Sequence, residues 1–169
     1  SGIHLVPYVR EAQKRGARLV VIDPRTTVLA KQADLHLAIR PGTDLPVALA
    51  VHRYLFESGA CDDAFLAAHT RAADRLREAA RPWTFERAAA EAGIEAGRLQ
   101  TFADLYASTS PAVIRCGWGQ ERNRNGGGAS MAILALPGVA GKFGVRGGGY
   151  VMGNFSPRGN TTTGVPAPE

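Results

Sequence analysis

The chain has 169 residues, 45% hydrophobic and 21% charged, with a formal net charge of +5, values that fit one globular domain and exclude a disordered or fibrous protein. No run of about 18 apolar residues exists to span a membrane as a helix. The two cysteines, Cys61 and Cys116, are too far apart to suggest a disulfide framework or a metal site made by this chain alone.

The opening residues read as a helix through Val6, Val9, Ala12 and Ala17, stopped at Gly16. RLVVID follows as a strand closed by Pro24, and Leu35–Ile39 forms a second strand ended by Arg40-Pro41-Gly42. An apolar helix is predicted from Leu45 to Glu57, entered through Thr43-Asp44. Further helices are expected over 63–69, 72–80, 85–92 and 96–108, with Pro82 and Gly93 as breaks. Residues 112–116 then read as a third, buried strand, followed by a helix over 129–136, with mostly loop beyond Gly138. Helices alternating with short apolar strands predict an α/β fold: a Rossmann-like, partial parallel sheet with helices on both faces. Three strands are few for such a sheet, which suggests an incomplete domain of a larger enzyme.

Glycine and charge are unevenly distributed. Fourteen of the 20 glycines fall between Gly117 and Gly164, and residues 117–169 carry five Lys/Arg against two acids. No Lys/Arg-dense helix or aromatic-basic strand is present, so a small anionic ligand suits the chain better than nucleic acid.

Ligands of open α/β sheets sit beyond the carboxyl ends of the strands, which singles out three places. Asp23 ends the first strand, where dinucleotide folds bind ribose hydroxyls; it equally suits the opening of a turn before Pro24. No GxGxxG is present to mark a nicotinamide cofactor. Asp44 suits a helix cap, the reading its position favours. Its carboxylate could instead accept the paired N–H donors on the Watson–Crick edge of guanine. The stretch RCGWGQERNRNGGG, residues 115–128, places glycines directly after a strand, where bare amides can approach a phosphate or a flat heterocycle. Gln120, Arg122, Asn123, Arg124 and Asn125 add donors, and the competing reading is a solvated basic loop. Trp118 is placed to stack on a ligand or to fill a corner. His4, His36, His52 and His69 have no second ligand at metal spacing and read as structural.

IDPRTT (residues 22–27), AxxADLHLAIRPGTD (30–44), CGWGQERNRNGG (116–127) and AILALPGVAGKFGVRGGG (132–149) together resemble the molybdopterin oxidoreductases of the dimethyl-sulfoxide-reductase superfamily. That group includes molybdenum- and tungsten-dependent formate dehydrogenases and nitrate reductases. The resemblance covers nearly the whole chain in the same motif order. It implies a bis-molybdopterin guanine dinucleotide carrying Mo or W, and cofactor-binding roles for Asp23, Arg25, Thr26, Gly42, Asp44, Gly117, Gly119, Gln120 and Arg122. Asp23 is then expected near the guanosine, Asp44 on guanine itself, and the glycine loop near dinucleotide and pterin. Thr26, Arg40, Pro41, Gly42 and Thr43 lie in the same motifs and are expected partly to shape their turns. One departure is Leu45-Pro46, where relatives often carry small residues; it alters the start of the helix.

The resemblance divides the chain into a Rossmann-like cofactor-binding part, residues 1–116, and a glycine-rich loop, helix and start of a neighbouring domain, residues 117–169. It implies that the metal ligand and a 4Fe-4S cluster lie before Ser1, so no catalytic or metal-ligating residue is expected here and the chain alone is expected to be inactive. A small-molecule substrate, with formate preferred, and an electron-transfer partner are implied for the intact enzyme, without nucleic acid. The cytoplasm is the expected compartment, with the periplasm as the alternative. Two rival readings are a nucleotide-dependent α/β enzyme domain, such as an NAD enzyme, and a non-catalytic scaffold subunit of an electron-transfer complex.

Overall fold

The structure is a computed structural model that describes residues 3–152. Helices α1 (Val6–Lys14), α2 (Asp44–Glu57), α3 (Asp63–His69), α4 (Ala73–Ala80), α5 (Phe85–Ala92), α6 (Ala96–Ser108) and α7 (Gly126–Val139) combine with strands β1 (Val20–Ile22), β2 (Leu35–Leu37), β3 (Val113–Cys116) and β4 (Gly149–Met152). The helices expected between residues 45 and 108 form within a residue of the bounds read from the sequence. Their stops and starts are chemically explicit. The Asp62 carboxylate accepts the Phe65 N–H at 2.9 Å to begin α3, and the Thr84 hydroxyl accepts the Arg87 N–H to begin α5.

The strands depart from the expected single sheet. β1 pairs with β2 and β3 with β4, both in parallel, as two separate two-stranded sheets. β4 lies in the stretch read as loop, because four residues behind a glycine run carry no recognisable period. Its partner is also remote in sequence: Ile114 aligns with Tyr150. Strand β3 is not buried throughout, since Val113 is 56% exposed and Arg115 is exposed while Cys116 is buried. The apolar run that suggested a covered strand therefore has one open face, with Val151 of β4 exposed beside it.

Helix α2 is the axis of the core. Residues 46–52 and Leu55 are all buried, which requires neighbours on every side. It packs against α4, α5, α6 and α7. Leu37, Val51, Leu55, Leu99, Leu136 and Val139 share one cluster, so β2, α2, α6 and α7 close a common interior.

Helix α7 begins at Gly126, three residues before the sequence suggested, and continues through Pro137. It runs parallel to α2, as contacts in matching order establish. A Cβ on Gly128 would lie 3.6 Å from Leu45 at one end, His52 meets Ala132 midway, and the Asp62 N–H donates to the Val139 carbonyl (2.8 Å) just past the other end of α2. Both helices therefore start on the same side of the molecule.

Candidate functional site

The chain leaves β1 through Asp23, which is held at three points. Its N–H donates to the Leu37 carbonyl (3.2 Å), and its carbonyl meets His36 Nε2 at 2.8 Å. Its Oδ1 accepts the Arg25 N–H at 2.7 Å. That last bond makes the turn proposed from sequence, yet it occupies one carboxylate oxygen and leaves Oδ2 for another donor. Arg25 and Thr26 are exposed on the same turn.

The β2–α2 turn is built more tightly. Arg40 donates from its backbone to Ala92 (2.9 Å) and from its guanidinium to the Ala90 and Glu91 carbonyls (both 3.3 Å). It thus closes the C-terminal end of α5, where carbonyls lack helical partners. Thr43 occupies the N-cap position of α2, but its hydroxyl donates back to the Arg40 carbonyl at 2.7 Å. Arg40 and Thr43 shape the turn through these bonds.

Asp44 is the first residue of α2, directly after the N-cap residue Thr43, whose side chain makes no capping bond. Partial burial raises its pKa above the ordinary carboxyl value, against a lowering bond from its own backbone N–H. A half-buried carboxyl with no ion pair among the described residues is a group that gains from a donor pair brought by a ligand.

The loop after β3 folds onto this turn. Asn125 Nδ2 donates to the Gly42 carbonyl at 3.1 Å, across 83 residues of sequence. Gly42 has φ +87°, and a Cβ there would press to 3.4 Å on Asn123 Oδ1. Asn123 itself donates to the Gly119 and Gln120 carbonyls, tightening a 3-10 turn at Gln120–Arg122. Both asparagines therefore hold the loop together, a correction to their reading as ligand donors. Asn125 stands at the N-cap of α7, where its Nδ2 donates to Gly42 and its side chain makes no capping bond, so α7, like α2, begins without a side-chain cap.

The glycines of this loop fall into two groups. A Cβ on Gly126 would sit 2.6 Å from the Gln120 carbonyl oxygen, so the fold itself requires glycine there. Gly119 and Gly127 have nothing within 4 Å of that position, and Gly117 has only an Arg115 nitrogen at 3.8 Å; none of the three has positive φ. Neither backbone strain nor internal packing explains these residues. What they leave is bare amide and open space. Gln120 Nε2 is buried without a hydrogen-bond partner, and Arg115, Arg122 and Arg124 are exposed, with no ion pair among the described residues. Trp118 is 38% exposed rather than filling a corner.

The structure thus joins Gly42, two residues before Asp44, to the 117–126 loop. Asp23, Arg25 and Thr26 share only the strand-end position, with no bond to that pair of segments among the described residues. The sequence reading missed the first turn of α7, although Asn125 followed by the apolar run after Gly128 was the available signal. Cys116 is buried under the loop and hydrogen-bonded to Tyr150, whose pKa burial raises first and this bond second. Burial likewise raises the Cys61 thiol, whose Sγ lies 3.5 Å from Asp63 Oδ1. Among the described residues, no group of three or more His, Cys, Asp or Glu is placed to hold a metal.

Known proteins resemble this chain over most of its length. The molybdopterin oxidoreductase family model matches residues 3–164. Probable oxidoreductase YoaE of Bacillus subtilis is 32% identical over 154 residues, 91% of this chain and 23% of its own. Formate dehydrogenase H of Escherichia coli is 27% identical over 137 residues, 81% of this chain and 19% of its own. The structure of acetylene hydratase from Pelobacter acetylenicus superposes with a TM-score of 0.79 at 28% identity, over 83% of this chain and 19% of that one. The chain therefore spans under a quarter of the length of these relatives. With its α/β architecture, its motif order and this match over nearly all its length, the chain belongs to the molybdopterin oxidoreductase family.

Proposed function

We propose that this chain holds the guanine dinucleotide end of a bis-molybdopterin guanine dinucleotide in a molybdenum- or tungsten-dependent oxidoreductase. The observation that carries this reading is the shared start of α2 and α7. Two parallel helices begin side by side without side-chain caps, joined by the Asn125–Gly42 bond, with Asp44 in the first turn of α2 and the unfilled Gly127 position in the first turn of α7. Uncapped helix starts present N–H groups and the positive ends of their dipoles to an anion.

The available groups fit such a cofactor chemically. Asp44 can accept the ring N–H and the exocyclic amine of guanine, a donor pair that adenine does not present. Asp23 Oδ2 suits a ribose hydroxyl, with Arg25 and Thr26 beside it. Gly117 and Gly119 permit close backbone approach, and Gln120 and Arg122 supply donors to phosphate or pterin. When bound, the metal and pterins supply two-electron or oxygen-atom chemistry, while the chain supplies placement and electrostatics. For the intact protein we extend the proposal to a formate-like small substrate, an electron-transfer partner, a 4Fe-4S cluster outside this chain, and a cytoplasmic location.

Asp44→Ala in the intact protein tests the site. Guanine nucleotide released on denaturation, measured per mole of protein, should fall by more than half, while the melting temperature stays within a few degrees. An unchanged guanine and metal content would refute the assignment.

A further inference from the structure

Only two polar side chains are buried among the core positions of the described residues, and one of them, His52, lies in the middle of α2 with 0% exposure. Burying an imidazole among valines and leucines is costly unless its nitrogens find partners. His52 Nε2 lies 2.8 Å from the Ala132 carbonyl of α7. A carbonyl only accepts, so Nε2 carries the hydrogen and Nδ1 is the unprotonated nitrogen. Nδ1 has no partner in the interior, and the ring stacks against Phe56 at 6.3 Å between centroids. Half of the polar capacity of this side chain is therefore left unused, and the cross-helix bond is what its burial gains.

That bond lies where the helix pair lacks shape-based registration. The buried residues of α7 over its first two turns are Gly126, Ala129 and Ala132. Small side chains allow close approach, but dispersion between smooth faces resists sliding only weakly. A hydrogen bond is directional and tolerates only a few tenths of an ångström. Polar ties join the two helices at three levels: Asn125 to Gly42 at the start, His52 to Ala132 midway, and Asp62 to Val139 at the far end. Of the outer ties, the first joins two residues that lie outside the helices, Asn125 and Gly42, and the second joins Asp62, outside α2, to the last residue of α7. Among the described residues, the His52 tie alone links an interior residue of α2 to an interior residue of α7, about 12 Å along the axis from Asp44.

We infer that His52 is a positioning residue for the cofactor site: it fixes the axial register of α7 against α2, and so the placement of the Gly126–Gly128 amides relative to the Asp44 carboxyl. This rests on the site proposed above. It adds a determinant that touches no part of the ligand.

The test uses the intact protein in four single variants. His52→Gln keeps an amide donor near the position of Nε2. His52→Asn keeps the polarity but is too short to reach Ala132, and His52→Leu removes the donor in an apolar side chain. Leu55→Ala, one turn further along α2 at a fully buried position, destabilises the core without breaking the tie. Guanine retention after dilution is read beside the melting temperature. The expected result is a roughly fivefold loss of retention in His52→Leu and His52→Asn, the size of one lost hydrogen bond. His52→Gln should restore most of it, and Leu55→Ala should retain guanine despite an equal or larger fall in melting temperature. If His52→Leu does not fold, the Asn and Gln pair carries the comparison.

Equal retention in the Asn and Gln variants would overturn the positioning role. So would a loss in Leu55→Ala matching that in His52→Asn. Loss in Asp44→Ala without loss in His52→Asn overturns this inference alone. Full guanine content in Asp44→Ala overturns the site reading, and this inference with it.

Discussion

The turn at residues 40–44 and the loop at 117–128 meet at one end of the molecule but are maintained differently. The turn is complete within the chain. Arg40 closes α5, Thr43 bonds back to Arg40, and Gly42 occupies a positive φ against Asn123. The loop is only half explained by its own contacts: Asn123, Asn125 and Gly126 fix its path, whereas Gly117, Gly119 and Gly127 satisfy no strain and avoid no clash. Glycine costs stability wherever the fold does not need it. The proposed cofactor site accounts for three such residues in one loop, and under that proposal the loop is the ligand-facing half of the pair.

The comparison can be strained most severely through the tie that both segments depend on. His52 has its pKa pushed from the ordinary 6.5 down to about 4, mainly by burial, with the Ala132 bond opposing. Above pH 6.5 the ring is neutral whether the chain is folded or unfolded, and its full contribution is present. As the pH falls toward 4, the unfolded chain takes up a proton that the folded one refuses, so stability declines by about 1.4 kcal/mol per pH unit. The accumulated loss is about 3 kcal/mol and levels off below the folded value. Urea midpoints measured across this window should show the slope, and His52→Gln should remove it. A wild-type slope unchanged in that variant would assign the acid sensitivity to other groups.

The two classes of glycine then separate by sign. Gly126→Ala drives a Cβ into the backbone at Gln120 and Glu121 and should lower stability by about 2 kcal/mol, as overpacking against a rigid neighbour does. Chemical denaturation would record it as a lower midpoint. Gly127→Ala, in the first turn of α7 with open space around it, should raise stability by about 0.5 kcal/mol through backbone entropy. It should nonetheless weaken guanine retention in the intact protein. A Gly127→Ala protein that is both more stable and fully loaded would remove the distinction between the two groups.

Much of this architecture is legible in local pattern. Apolar spacing, Pro82 and Gly93 as breaks, and the Thr43-Asp44 start are signals within a few residues, and the helices follow them. The motifs around Asp23, Asp44 and Gly117 likewise mark three strand ends as the places to examine. Local pattern fails at β4, whose pairing partner lies far back in the chain, and at β3, where the same apolar run suits a covered or a half-open strand. It fails again at Asn123 and Asn125, because an asparagine in a basic loop has the same sequence signature whether its amide faces a ligand or a backbone carbonyl of the chain itself.

The sequence by itself determined the helices between residues 44 and 108, the approximate places of the first three strands, and which family the ordered motifs resemble. These depend on side-chain period and turn chemistry, properties of neighbouring residues. Only the tertiary structure decided that α2 and α7 run parallel with their starts together, that Asn125 ties one loop to the other across 83 residues, and which glycines the fold requires. Those outcomes depend on distances between atoms remote in sequence, and the packing of the core sets them.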